Sequence, residues 1–326
     1  MQKQQQGTTL VELMVALAIG SFLMIGAVQI YNQSRQAFVI NDSIARVQET
    51  AQFAMDIIES DVRMASNWGR TSRGLAIEGR SLSGNANPKS ITVPTDCGAD
   101  WVLDLGLPID GDNNTYALSC SETGTAMSNS DTLTVRRTSV APTTDSPFQT
   151  NKLYVQSTRV QGEIFIGDGT TTTVPAAFDP ADSSTHNLMV SSYYVATDST
   201  LIPGTPALRR KVLQMDGGTM KIIDQEVAPG VENLQVQFGI DLDEDNTVDR
   251  YVNPGDEVYD PLASGYVAGA RVITARIWMI VRASRLEVGI EDDRDYEPGD
   301  RDLGVPTDSF RRMQISKTIL LRNSLI

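Results

Sequence analysis

Residues 1–36 read MQKQQQGTTLVELMVALAIGSFLMIGAVQIYNQSRQ, and this stretch decides the fold. After Glu12 no charged residue appears until Arg35, which leaves a charge-free run of 22 residues from 13 to 34. At the helical rise of about 1.5 Å per residue the run spans about 33 Å, enough to cross a bilayer core about 30 Å thick. A secretory signal would pair a basic start with a shorter apolar stretch and a small-residue cut site behind it. No such site follows here; the helical pattern continues instead. Ile44, Val47, Ala51, Ala54, Met55, Ile58, Val62 and Ala65 recur at steps of three and four, and Arg46, Glu49, Asp56, Glu59 and Asp61 are expected on the opposite face. The spacing predicts one helix from about residue 9 to about residue 66, ending before the loop-like NWGRTSRG at 67–74.

Glu12 is the unusual residue. A carboxylate near the start of a spanning helix is costly to bury and points to a function with a partner. A cut after Gly7 would create such a partner, because the new amine of Thr8 lies about one helical turn from Glu12 in the same or a neighbouring subunit. Pairing the two neutralises both inside a helix bundle and sets the axial register between neighbours.

The string Gly7-Thr8-Thr9-Leu10-Val11-Glu12, followed by about twenty apolar residues, resembles the signal of type IV prepilins and of type II secretion pseudopilins. The resemblance implies that a prepilin peptidase cuts between Gly7 and Thr8, that Thr8 is N-methylated, and that Glu12 guides assembly. Thr8 departs from the Phe that most members carry there. Lys3 is the only charge in the leader and keeps it cytoplasmic, which places the remainder outside. The organisation expected is a leader at 1–7, a membrane and assembly half-helix at 8–34, an amphipathic half-helix at 35–68, and a periplasmic β-rich domain at 69–326. The chain would start in the inner membrane as a single-pass protein and move into the pilus.

From about residue 69 the helical period gives way to short β-prone segments. Strands are predicted at 90–93, 132–135, 152–156, 163–166, 188–196, 207–215, 220–223, 234–240, 271–281 and 314–321, separated by long turn-rich insertions such as 110–130. RVITARIWMIVR and QISKTILLR alternate imperfectly, as strands do when a helix covers one sheet face. The fold class is therefore α+β, a type IV pilin-like long N-terminal helix packed on an antiparallel sheet with long loop insertions. TLTVRR (132–137), FGIDLDEDNTVDRY (238–251), ARIWMIVRAS (275–284) and FRRMQISKTILLRN (310–323) resemble the PilW family of minor pilins. That resemblance implies partners among PilV-, PilX- and FimU-like minor pilins, the major pilin, the inner-membrane assembly platform and a tip adhesin. A GspJ-like pseudopilin is one alternative, although such proteins are usually shorter, and a tip adhesion or binding module whose long loops contact a surface is another.

The net charge is −14, which disfavours a phosphate-binding surface and hence nucleic-acid binding. The two cysteines, Cys97 and Cys120, are expected to form a disulfide in an exported chain. With two Cys and one His, the composition disfavours a Cys/His zinc site. Asp241, Asp243, Asp245 and Asp249 fall at alternate positions with Thr247 between them, as the oxygens of a calcium (Ca2+) loop do. Asn246 stands where an EF-hand has Gly and Val252 where it has its bidentate Glu, so a solvated acidic hairpin competes with that reading. Asp110-Gly-Asp112-Asn-Asn114 is a weaker version, read as a turn. His186 is expected at the surface, and no catalytic motif accompanies it. The chain is not read as an enzyme.

Overall fold

A computed structural model describes residues 9–81, 91–93, 96–98, 100–172, 181–287 and 289–325. Helix α1 runs Leu10–Arg63 over 54 residues, with Glu12 in its first turn and Arg63 in its last, each sign matched to the helix dipole. Its end is a tightened turn: Met64 donates to the Asp61 carbonyl at 3.0 Å, Ala65 to Val62 at 3.1 Å, and Ser66 then turns left-handed at φ 62°. The chain divides into two compact units, residues 1–46 and residues 47–326. The first is helix from Leu10 onward.

The second unit begins with the last turns of α1 and continues into β-structure. Its strands among the described residues are β1 Ile77–Glu78, β2 Ile109–Asp110, β3 Leu133–Thr138, β4 Leu153–Ser157, β5 Gly162–Ile166, β6 Ser184–Ala196, β7 Ala207–Asp216, β8 Thr219–Pro229, β9 Val231–Asp241, β10 Arg250–Val252, β11 Arg271–Leu286 and β12 Phe310–Leu320. Nine overlap the expected segments. Residues 91–93, expected to belong to a strand, are irregular.

The strands form two sheets. One has the order β1-β5-β4-β6-β3-β2, with β7 on β6 and β8 on β7; the other is β10-β9-β11-β12. Every pairing is antiparallel except β1 with β5. The β7–β8 turn needs positive φ at Gly217 (58°) and Gly218 (82°), the twist-matched geometry of a two-residue hairpin.

The main core forms where α1 meets the second sheet. Val47, Ala51, Ala54, Met55, Ile58 and Val62 bury against Leu234, Val236, Phe238 and Ile240 of β9 and against Ala275, Ile277, Met279 and Val281 of β11. Those strand residues alternate, so each strand gives one face to the helix. Gln235, Gln237, Arg276 and Trp278 fall on the other face. A second core gathers Trp68, Leu103, Leu105, Val155, Ile164 and Leu188 under the other sheet.

Two acids expected on the polar face of α1 are buried instead. Asp61 accepts from Arg137 and from the Tyr193 hydroxyl, and Glu59 pairs with Arg63 and Lys317. The reason is in the period: Asp61 lies three residues after Ile58 and four before Ala65, which puts it on the inner stripe. A buried carboxylate persists only with partners, and strands β3, β6 and β12 supply them.

Candidate assembly site and oxygen-rich loops

The start of α1 is a closed capping box. Thr9 donates its backbone N–H and its hydroxyl to Glu12 Oε2 at 3.0 and 3.1 Å, and the Glu12 N–H donates back to Thr9 Oγ1 at 3.3 Å. The reciprocal pair satisfies amides that the first turn would otherwise leave without partners. Glu12 therefore stands at the exact place where helix partial charge and its own carboxylate attract.

Below this cap the side chains are bare. Leu10, Leu17, Phe22 and Ile30 are 74, 66, 77 and 66% exposed. The helix is long and apolar enough to cross a membrane, with a mean hydropathy of 2.2 over its best window. So much exposed hydrocarbon calls for lipid or other helices around it. Gly7 and Thr8, the expected cut and methylation residues, lie outside the described residues.

Cys97 and Cys120 are joined by a disulfide, as the even cysteine count indicates. Tyr116 lies inside the closed loop; its hydroxyl donates to the Cys120 carbonyl at 2.7 Å, and its ring meets Tyr194 of β6 edge-on at 5.0 Å.

The acidic hairpin between β9 and β10 places carboxylate oxygens of Asp241, Asp243 and Asp249 within 4.8 Å of one another, a group that could hold a metal ion. Asp245 is outside it: its Oδ1 accepts the N–H and hydroxyl of Thr247 at 2.7 and 2.6 Å. Asp241 is fully buried and already engaged. Its Oδ2 accepts Arg271 Nη2 at 2.8 Å and the Asn246 N–H at 2.9 Å, and its Oδ1 accepts the Glu244 N–H at 2.8 Å. Burial opposes ionisation of Asp241 most strongly, yet the Arg271 and amide hydrogen bonds outweigh it and hold the carboxyl below its ordinary range. The pairing follows from strand register, because Arg271 on β11 sits directly opposite Asp241 on β9.

His186 is not at the surface. It is 5% exposed on β6, opposite Val155, with Nδ1 2.8 Å from the Ser139 carbonyl and Nε2 3.0 Å from Ser184 Oγ. The residues around it are turn-prone, yet strand pairing overrides local preference there.

The DGDNN turn is richer than its sequence indicated. Asn113, Asn114 and, from just after β10, Asn253 all direct their side-chain amides at Asp300, at 3.1, 3.3 and 2.6 Å from its Oδ2. No local pattern announced this grouping, because its members come from three separate loops.

Comparison with known proteins adds two family matches. Residues 2–28 match the prokaryotic N-terminal methylation motif, and residues 192–323 match the type IV pilus-assembly protein W family. The second match spans the end of β6 and all of β7, β8, β9, β10, β11 and β12. No curated protein matches the sequence. Among solved structures, a type IV-like pilin from Thermus thermophilus is similar, with 13% identity and a TM-score of 0.28 over 61% of this chain and 82% of that one. That likeness is too distant to argue from.

Proposed function

We propose a function from one premise: this chain is a type IV pilin of the PilW family. It acts as a minor pilin that helps initiate filament assembly at or near the tip. The observation that carries this is the start of α1, where Glu12 is the one charged side chain ahead of the uncharged and largely solvent-bare run at 13–34. Such a helix is stable only among lipids or other helices, and Glu12 is the group that can set its register there.

In this reading a prepilin peptidase removes residues 1–7 by cutting after Gly7, and Thr8 becomes the methylated N-terminus. Residues 8–34 anchor the subunit in the inner membrane and then pack in the filament, residues 35–68 link the anchor to the β-rich part, and residues 69–326 are periplasmic before assembly. On assembly Glu12 exchanges its own cap for the amine of Thr8 or of a neighbour's first residue. The partners are the prepilin peptidase, other minor pilins of PilV-, PilX- and FimU-like type, the major pilin, the assembly platform and a tip adhesin. The role is structural, and no residue is assigned to catalysis.

Mass spectrometry of sheared filaments tests the proposal. The expected species begins with methylated Thr8. Incorporation of uncut Gly7→Ala protein at wild-type levels would overturn it, and normal piliation with loss of secretion in a deletion strain would favour the GspJ-like alternative. Calcium at Asp241, Asp243 and Asp249 is a second reading, favoured by their convergence. A calorimetric titration unchanged by Asp243→Ala with Asp249→Ala would remove it.

A further inference from the structure

β12 closes the second sheet and is paired on one side only, with β11. The Leu321 N–H donates to the Ile273 carbonyl at 2.9 Å, so the odd-numbered residues of β12 turn their backbone groups toward β11 and the even-numbered ones turn theirs away. Arg312 fits this alternation: its carbonyl faces outward and accepts Arg294 Nη2 at 2.7 Å. Beyond it the edge is open. Among the described residues the outward backbone groups of Gln314, Ser316 and Thr318 have no partner, and the side chains of all three are exposed. An edge of this kind is a template for one more strand.

Two features beside the edge define what such a strand must carry. The first is on the side of α1. Glu59 pairs with Lys317, which sets this flank of the helix over β12, and Asn323 Nδ2 donates to the Ala65 carbonyl at 3.2 Å, so helix and strand run the same way. Asp56, Gln52 and Glu49 precede Glu59 by three, seven and ten residues, which makes them one exposed stripe that follows the open edge. Asp56 and Glu49 form no ion pair among the described residues. The second feature is on the opposite face. Ser316 and Thr318 stand across from Trp278 and Arg276, and the difference in side-chain length leaves a hollow of about 260 Å³. The Arg276 guanidinium is turned over the ring of Tyr251 on β10, 3.5 Å from its centroid, so the arginine stem and the Trp278 indole are the apolar walls of the hollow.

We propose that the open edge of β12 docks an extended, basic segment of a partner protein, which adds to this four-stranded sheet as a fifth strand. Side chains alternate across a strand, so every second residue of the incoming segment lies beside the helix stripe, where lysine or arginine meets Asp56 and Glu49. An intervening residue turns to the other face and fills the hollow beside Trp278 with an apolar or aromatic side chain. The net charge of −14 favours the approach of such a segment. A second copy of this chain does not fit: antiparallel pairing of two β12 edges would set two acidic stripes against each other. The surface is built from β12 and α1 alone and is independent of the role of Glu12.

The test is fluorescence anisotropy of full-length protein in detergent with short labelled peptides. One alternates lysine with valine and has tyrosine at a central valine position; a second carries glutamate in place of lysine; a third is the lysine peptide methylated on every backbone nitrogen. The lysine peptide should bind saturably and at least about tenfold more tightly than the glutamate peptide. Its binding should slow hydrogen exchange at the amides of Ser316 and Thr318. The methylated peptide keeps every side chain but cannot donate to the edge, and it should not bind. Glu49→Lys with Asp56→Lys changes only exposed helix positions, so the melting temperature should hold while the lysine peptide weakens at least about tenfold. No saturable binding of the lysine peptide, equal binding of its methylated form, unchanged exchange at Ser316 and Thr318, or unchanged affinity in the double variant would overturn the proposal.

Discussion

Asp61 of α1 receives Nε and Nη2 of Arg137 on one oxygen, at 3.1 and 2.7 Å, while its other oxygen accepts the Tyr193 hydroxyl at 2.6 Å. The three groups join the helix to β3 and β6 across the interior. Burial first, and then the charge of Asp61, push the Tyr193 hydroxyl above its usual pKa, so it remains a donor. The helix is thus held by a polar clasp in addition to its apolar stripe.

Removing one half of that clasp should cost more than removing both. Asp61→Ala leaves a guanidinium buried without its partner and is expected to destabilise the folded unit by about 3–5 kcal/mol. Asp61→Ala combined with Arg137→Met should recover part of the loss. A double-mutant cycle from thermal or denaturant melting of the full chain measures it, and purely additive effects would show that the two residues act independently.

Glu12 has two separable roles, cap and charge. Glutamine at the same position can still reach back to the Thr9 N–H, so Glu12→Gln should retain helix initiation. It cannot pair with an amine as a charge. We expect Glu12→Gln to be cleaved yet enter filaments as poorly as Glu12→Ala, read by immunoblot of sheared pili. Normal entry of Glu12→Gln with failure of Glu12→Ala would assign the role to the cap alone.

The pH dependence has a definite sign. Burial raises the Asp110 carboxyl to about 6, against the opposing pull of Arg136, the Gly111 amide and the Tyr259 hydroxyl. A carboxyl raised above its unfolded value near 3.9 contributes stability that is complete below about pH 4 and is lost as pH rises through about 6. Asp308 acts in the opposite sense: the Arg312 hydrogen bond lowers it to about 2, so its contribution is present above about pH 4 and lost as pH falls through 2. Melting temperature is expected to decline between pH 5 and 7.5, and Asp110→Asn, which keeps an acceptor for Tyr259, should flatten that decline. An unchanged slope in Asp110→Asn would show that other groups cause it.

The Cys97–Cys120 bond closes a loop with a sequence separation of 23. Cys97→Ser with Cys120→Ser should cost about 3 kcal/mol by the chain-entropy estimate. Protease should then cut first within residues 97–120. Preserved melting temperature and an unchanged cleavage pattern would count against a stabilising role.

Much of the fold could be read without coordinates. Val47, Ala51, Ala54, Ile58 and Val62 repeat at helical spacing, and all are buried against β9 and β11. Leu234, Val236, Phe238 and Ile240 alternate, and they form the face that receives the helix. These patterns are legible because a helix face and a strand face each depend on neighbours a few residues away. The misreadings share a different origin. Glu59, Asp61 and His186 carry polarity that suggests solvent, yet each is buried, because partners such as Lys317, Arg137 and Ser139 come from distant strands and loops.

The sequence alone determined an apolar helix that continues as an amphipathic one and then gives way to strands: hydrophobic period acts within a few residues. Only the tertiary structure decided which partner each charge meets. Asp241 is neutralised because register sets Arg271 opposite it, while Asp300 gathers amides from the turn at 113–114 and from Asn253. Electrostatic partnership depends on distance in space, and for residues this far apart along the chain only folding sets that distance.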